Sequence, residues 1–326
     1  MPVTPGLAIG VDLGATKIAA ALISPDGQLL DSSQALTEAS QGAEAVLDRI
    51  TDQVSALLRR AAGPITGVGI GSPGQVNSQL GIVRKAVNLG WEEIYLSTEI
   101  QARLGYHLPV YIQKDTNLSA LGEYYFGASR DCPDFVYLGI GSGLGGGIMS
   151  GGRLVTGADW NAAELGHLSL DPEGLSCACG SRGCAETIVS GPGLVNLARR
   201  FLDDHRFASS LISNQYLSTT QILDAARLGD ELARQALAQV GRHLGLVMAS
   251  CIAVLNPGRF IIGGGLGLAA FDELVQAAWD ELRQRTLSTS YQNLEIVPSQ
   301  VESSAIGAAC LVWYFQDEFI PKEVIT

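Results

Sequence analysis

The chain opens on short apolar stretches separated by glycine turns. Residues 7–11, 17–23 and 28–30 read as three strands, joined by a turn over residues 12–16 and by Pro25-Asp26-Gly27. Apolar and polar positions alternate poorly there, and small or β-branched residues dominate, as in a buried sheet. The period then changes. Val46, Ile50, Val54, Leu57 and Leu58 fall on one 3.6-residue stripe, which predicts a helix over residues 43–60. A strand over 67–70, a loop over 71–74, a helix over 96–104, a strand over 109–113 and a helix starting near Asn117 follow.

Residues 135–155 repeat the opening pattern: strand, glycine turn at 141–145, strand, the turn Ser150-Gly151-Gly152, strand. Ser150-Gly151-Gly152-Arg153-Leu154-Val155 corresponds to Ser24-Pro25-Asp26-Gly27-Gln28-Leu29-Leu30 at an offset of roughly 125–130 residues. Two unrelated glycine-rich hairpins would read the same way. Further on, residues 231–255 have a helical period, 259–262 form a strand, 263–267 a glycine turn, 271–285 a helix, and 305–315 an apolar helical tail. No segment rich in Pro, Gly or Ser divides the chain, so two lobes packed along a cleft are expected.

With 326 residues the chain is long enough for two domains, each with a core. Hydrophobic residues at 47% and charged residues at 17% describe a globular protein. The net charge of −12, from 33 acidic and 21 basic residues, argues against nucleic acid as a partner. The start MPVTPGLAIGVDLGATK does not read as a signal peptide, and the longest apolar runs are broken short of 18 residues, so no membrane span is expected. Three of the six cysteines are clustered and three scattered, a pattern that suits a reducing cytoplasm with one metal site.

Glycine clusters follow three apolar strands: Asp12-Leu13-Gly14-Ala15-Thr16-Lys17, residues 139–147, and residues 263–267. Glycine lets a backbone approach an anion and turn its N–H groups toward it, so three such loops point to a nucleotide clamp. Gly69 to Gly74 and Gly141 to Gly146 both match G-x-G-x-x-G, but neither opens a helix, so neither reads as a dinucleotide fingerprint. Lys17 follows Thr16 where a P-loop requires Gly.

His167, Cys177, Cys179 and Cys184 make a closed tetrahedral set for a structural zinc ion, with Gly180 and Gly183 letting a short loop wrap it. Free thiols or a Cys179–Cys184 disulfide is the alternative. Cys132, Cys251 and Cys310 read as buried small residues. Asp115 lies at a strand-to-helix junction, where a cap or a catalytic base would both fit. Asp12, in the first glycine loop, suits a metal or phosphate-water role. Glu164, His167 and Glu186 would be held together by the metal loop, offering fixed acceptors to a polyhydroxy ligand, although solvated acids are the bland reading.

These residues resemble the ROK (repressor, ORF, kinase) sugar kinases and regulators over nearly the whole chain. The run from Asp12 to Lys17 resembles the first phosphate motif of the family, Gly139 to Gly147 the second, and Gly263-Gly264-Gly265 its adenosine loop. Glu164-Leu165-Gly166-His167 with Cys177-Ala178-Cys179-Gly180 and Cys184-Ala185-Glu186 resembles its zinc signature. The resemblance implies a duplicated actin-like ATPase (ribonuclease H-like) α/β fold with two lobes around a central cleft. The expected boundaries are 1–114 plus 305–326 for a small lobe and 115–304 for a large one. It implies ATP with Mg2+, a structural Zn2+, and a glucokinase-like transfer to a hexose hydroxyl, glucose first. Asp115 becomes the general base. Gly14, Ala15, Thr16, Lys17, Gly141, Ser142, Gly143, Gly264 and Gly265 join Asp12 as nucleotide residues. Gly74, Lys114, Glu164, His167 and Glu186 become sugar contacts, His167 using one ring nitrogen for zinc and the other for sugar. A homodimer or higher oligomer is implied by the resemblance alone.

One position departs from the family. Where its kinases carry Asn before the catalytic Asp, this chain has Lys114, whose ammonium is expected to lower the Asp115 pKa and weaken it as a base. An N-acetylhexosamine kinase, a polyphosphate-using kinase and a non-catalytic sugar sensor stay open as alternatives. Regulation through DNA is disfavoured, because the first strand is expected by about residue 7 with no helix-turn-helix ahead of it.

Overall fold

The computed structural model describes residues 6–211, 216–301 and 303–316. Residues 1–5 and 317–326 of the expected small lobe lie outside them. The chain begins with β1 (Leu7–Leu13), β2 (Lys17–Ile23), β3 (Leu29–Leu36) and α1 (Ala43–Arg60). Next come β4 (Ile65–Ser72), β5 (Gln75–Asn77), β6 (Ile82–Ala86), β7 (Trp91–Ile94), α2 (Leu96–Arg103), β8 (Val110–Lys114) and α3 (Asp115–Tyr125). The second half contains β9 (Phe135–Ile140), β10 (Leu144–Ser150), β11 (Arg153–Leu154), α4 (Gly191–Asp203), α5 (Thr219–Arg227) and α6 (Glu231–Leu255). It ends with β12 (Arg259–Gly263), α7 (Gly265–Ala269), α8 (Phe271–Arg285), β13 (Glu295–Pro298) and α9 (Ser304–Gln316).

Two five-stranded sheets carry the same strand logic. The first runs β3-β2-β1-β4-β8 and the second β11-β10-β9-β12-β13. In each, a meander supplies three strands and a parallel pair extends the sheet from the first of them. β1 pairs parallel with β4 as β9 pairs with β12, and β8 and β13 then add in parallel. The recurring pattern in the sequence is therefore a duplication and not two chance hairpins. A third sheet, β5-β6-β7, is inserted between β4 and β8.

Two compact units divide the chain: Met1–Pro133 with Gly147–Ala162 and Gln300–Thr326, and Asp134–Gly146 with Ala163–Ser299. In the first, α1 buries Val46, Ile50, Val54 and Leu57 of the stripe read from the sequence, with Leu47 added and Leu58 only partly buried, in a core with Ile9, Val11, Val68, Ile70 and Ile112. Helix α9 packs on β1, β4 and α3 of this unit. It comes so close that a Cβ on Gly10 would lie 1.8 Å from the Ala305 carbonyl oxygen, and one on Gly69 1.8 Å from that of Ala308. Only glycine fits at such contacts.

In the second unit α6 is surrounded by α4, α5 and α8. This helix is long and apolar enough to cross a membrane by length and composition, contrary to the reading from unbroken runs. Isolated polar residues and glycines break an apolar run yet lower the mean hydropathy of a long window only modestly. Its apolar window is 56% buried, and Leu237, Val240, Leu244, Val247 and Met248 are covered by protein.

Candidate active site

In the first unit the predicted residues gather at the carboxyl ends of parallel strands. Asp12 pairs with Gly71 across β1 and β4, and Gly71 pairs with Gln113 across β4 and β8. Asp12 is thus level with Gln113 two strands away, about 10 Å by strand spacing, and Asp115 follows two residues later. Helix α3 begins at Asp115, two residues earlier than the helix expected near Asn117. Lys114 takes the capping position, so Asp115 lies inside the first turn and is not the N-cap. Its carboxylate accepts from the adjacent Thr116 N–H at 2.7 Å. Lys114 is 7% exposed, and its ammonium donates to the Ala162 carbonyl at 3.4 Å.

The first glycine loop is tied back through its carbonyls. Gly14 N–H donates to Lys17 O at 2.9 Å, Thr37 N–H to Thr16 O at 2.9 Å, and the Thr37 hydroxyl to Gly14 O at 2.7 Å. Thr37 is fully buried, which holds the turn from below. Among the described residues no protein acceptor takes the Ala15 or Thr16 N–H, and both residues are exposed. An anion-binding loop needs this arrangement of engaged carbonyls and open N–H groups. Lys17 starts β2 and is exposed beside them. Gly74 has φ +88°, and a Cβ there would meet Lys85 O at 2.1 Å, so the backbone alone requires glycine.

Sequence reasoning missed several polar groups in this unit. Ser304, the first residue of α9, donates its hydroxyl to Asp12 Oδ2. Thr116 Oγ1 and Asn117 Oδ1, in the first turn of α3, are buried without a partner among the described residues. Glu123, fully buried, accepts Ala128 N–H at 2.7 Å and the N–H groups of Gln300 and Val301 at 2.9 Å each. The apolar stretch 305–315 signalled α9, but no local spacing signalled that its first residue meets a carboxylate far away in sequence.

In the second unit the metal residues converge. The His167, Cys177, Cys179 and Cys184 ligand atoms all lie within 4.8 Å of one another, Cys177 Sγ being 3.9 Å from His167 Nδ1 and Cys179 Sγ 3.6 Å from Cys184 Sγ. A sulfur–sulfur distance of 3.6 Å excludes a disulfide. A tetrahedral zinc site has ligand–ligand edges of roughly 3.3–3.8 Å from its bond lengths, so the donor set and spacing fit this ion. Gly180 and Gly183 take left-handed φ of +93° and +65°, as expected for a loop this tight. Burial pushes the Cys184 thiol up to about 12, so its thiolate needs a nearby cation. Because His167 presents Nδ1 to the sulfurs, Nε2 is left for another partner.

Glu186, two residues past Cys184, accepts Leu144 N–H at 3.0 Å. A Cβ on Gly143 would lie 2.3 Å from Glu186 Oε2. Gly141 N–H donates to Gly143 O at 2.9 Å and Gly191 N–H to Gly141 O at 2.8 Å. The structure thus brings Glu186 onto the second glycine loop, Gly141-Ser142-Gly143. Glu164 directly precedes the 3-10 turn Leu165–His167, and His167 N–H donates to its carbonyl at 3.0 Å. Both residues are exposed. Gly264, at φ +80°, lies against the Ile140 backbone, and Gly265 starts α7 facing open space. A cavity of about 750 Å³ beside the metal loop is lined by Arg182, Arg200, Gln239 and His243 among others. Cys184 of the metal cluster lines it, but Glu164, His167 and Glu186 do not.

Paired five-stranded sheets of one topology, glycine loops after their first strands and a cluster of one histidine with three cysteines define a duplicated α/β protein of the actin-like ATPase class. The chain belongs to the ROK family, whose model matches residues 8–314. It is 35% identical over 317 residues to the glucokinase of Thermotoga maritima, covering 93% of this chain and 96% of that one. A ROK family glucokinase from Streptomyces griseus, solved in complex with glucose and AMPPNP, is similar at a TM-score of 0.77 and 31% identity, over 94% of this chain and 99% of the other. A ROK family transcriptional regulator, a homologue of the Escherichia coli Mlc protein, is similar at a TM-score of 0.85 and 30% identity, over 96% of this chain and 79% of that regulator.

Proposed function

We propose that this protein is an ATP-dependent sugar kinase that phosphorylates a hexose hydroxyl, glucose first among candidates. The observation that carries the reading is the placement of Asp12 and Asp115 at the carboxyl ends of parallel strands of one sheet, beside a loop with open N–H groups. In such sheets ligands bind beyond the carboxyl ends. Asp115 accepts the proton of the attacking hydroxyl, and the N–H groups of Ala15 and Thr16 take phosphate oxygens, with Lys17 adding charge. Asp12 would hold Mg2+ through water, the ion neutralising phosphate charge when bound. Gly141, Ser142, Gly143, Gly264 and Gly265 serve the nucleotide. Glu164, His167 and Glu186 accept or donate to sugar hydroxyls, with zinc on His167, Cys177, Cys179 and Cys184 fixing their positions. Lys114 adds a buried ammonium on the sugar side, and Gly74 shapes the adjoining turn.

A second reading is a sugar sensor without turnover, favoured by Lys114 and by the similarity to regulators. N-acetylhexosamine or polyphosphate as alternative substrates belong to the same chemistry. A coupled ADP-release screen over hexoses and N-acetylhexosamines, with wild type and Asp115→Asn and with sugar phosphate measured in parallel when polyphosphate replaces ATP, decides among them. Turnover should appear with at least one sugar and fall by about 10²–10⁴-fold in the variant, the range for a general base. Sugar binding with neither ADP release from ATP nor sugar phosphate formed from polyphosphate would establish the sensor, and undiminished turnover in Asp115→Asn would remove that residue from its role.

A further inference from the structure

Helix α9 is locked into the first unit by backbone contacts. Besides those at Gly10 and Gly69, a Cβ on Gly307 would lie 1.9 Å from the Leu118 carbonyl of α3. The helix therefore sits backbone to backbone against β1, which carries Asp12, and α3, which begins with Asp115. Its entry is fixed as well. Glu123, near the end of α3, accepts the N–H groups of Gln300 and Val301 through Oε1. A helix seated this way has no freedom to slide, and its first residue delivers one hydroxyl to one carboxylate oxygen, Ser304 Oγ to Asp12 Oδ2.

We propose that Ser304 is a positioning residue for Asp12: it fixes the carboxylate rotamer and occupies Oδ2, so that Oδ1 is the oxygen offered to the hydrated cation accompanying the nucleotide. The glycine contacts make this a link between elements. α9 sets where Asp12 points by reference to the helix that starts at Asp115. Hydroxyl-to-carboxylate hydrogen bonds are among the stronger ones, and a carboxylate that lost its partner would sample other rotamers. The inference rests on the kinase reading for the role of Asp12, but its test does not need turnover.

The experiment measures Mg2+-dependent binding of AMPPNP by calorimetry, and the Mg2+ dependence of ADP release, in wild type, Ser304→Ala and Ser304→Thr. Ser304→Ala should raise the Mg2+ concentration for half-maximal binding or rate by about ten-fold. The sugar KM and the binding of nucleotide in EDTA should stay unchanged. Ser304→Thr, which keeps the hydroxyl, should restore most of the shift, and in an Asp12→Ala background Ser304→Ala should add nothing further. A merely structural role would lower the melting temperature without moving the Mg2+ dependence. If wild type turns over sugar and Ser304→Ala has the wild-type Mg2+ profile, the inference is wrong and the kinase stands. If no sugar is phosphorylated but the Mg2+-dependent binding shifts in Ser304→Ala, the kinase reading falls and the positioning role survives. No nucleotide binding by wild type overturns both.

Discussion

The two glycine loops sit at equivalent places in two sheets of one topology, yet they are held by different physics. The loop at Gly14–Thr16 rests on the neutral Thr37, whose N–H and hydroxyl donate to its carbonyls, on a strand that α9 meets at glycine contacts. The loop at Gly141–Gly143 is held by a side chain, Glu186, which hangs from a segment gathered around four metal ligands. Duplication copied the strands, and the devices that place chemistry on them diverged. One loop lies on a strand packed against α9 by contacts that leave no space, the other against a carboxylate on the segment that carries the candidate metal ligands.

The harshest way to break the comparison is Gly69→Val. Its branched side chain must enter the space of the Ala308 carbonyl, which already lies 1.8 Å from an added Cβ. Neither a strand backbone nor a helix backbone can yield as a side chain would. We expect loss of soluble folded protein, or destabilisation above about 4 kcal/mol, the range reserved for gross overpacking. Circular dichroism and denaturant unfolding read it. A variant folded within about 1 kcal/mol of wild type would mean that α9 is not seated on these glycines.

Metal removal tests the other unit. Zinc analysis of the purified protein should give about one ion per chain, as a four-ligand site requires, and Cys179→Ser should give substoichiometric metal. Chelation should raise protease susceptibility within residues 167–186 while leaving the segment 6–133 protected, because the first unit has no ligand in this cluster. Equal loss of protection in both would show that the ion supports more than its loop.

The same division explains what could be read from the sequence. The α1 stripe, the meanders, α6, α8 and the metal set were legible because each is a local pattern with a long period or a distinctive spacing. The β5-β6-β7 sheet was not, since its strands have three to five residues and carry Arg84, Lys85, Glu92 and Glu93 on exposed faces. Helix α4 hides behind Gly191-Pro192-Gly193, which reads as a turn although Ser190 caps it by accepting Gly193 N–H. Helix α5 starts with a capping box, Ser218 with Gln221, a signal the sequence contained and hydrophobic periodicity alone passed over. The Ser304–Asp12 contact was beyond reach for a different reason. It depends on where a helix lands, which glycines far apart in sequence decide together.

The smallest expected effect sharpens the side-chain half of the comparison. Asp230 precedes α6 and accepts Ala233 N–H at 3.0 Å, Ser210 N–H at 2.5 Å and the Ser209 hydroxyl at 2.9 Å. Burial pushes its carboxyl up, but the hydrogen bonds from Ala233, Ser210 and Ser209 outweigh it and hold the group below the usual carboxylate range. A depressed folded-state pKa means that the contribution is complete above the ordinary Asp value of about 3.9 and fades as pH falls through the lower folded value. Asp230→Ala should therefore cost about 1 kcal/mol at pH 7, the usual loss for a removed N-cap. The gap between variant and wild type in denaturant midpoint should narrow as the pH is brought below about 3.9. A gap that stays constant into acid would assign the loss to packing, and would take Asp230 out of the class of carboxylates, Glu186 among them, that hold this unit by accepting backbone N–H groups.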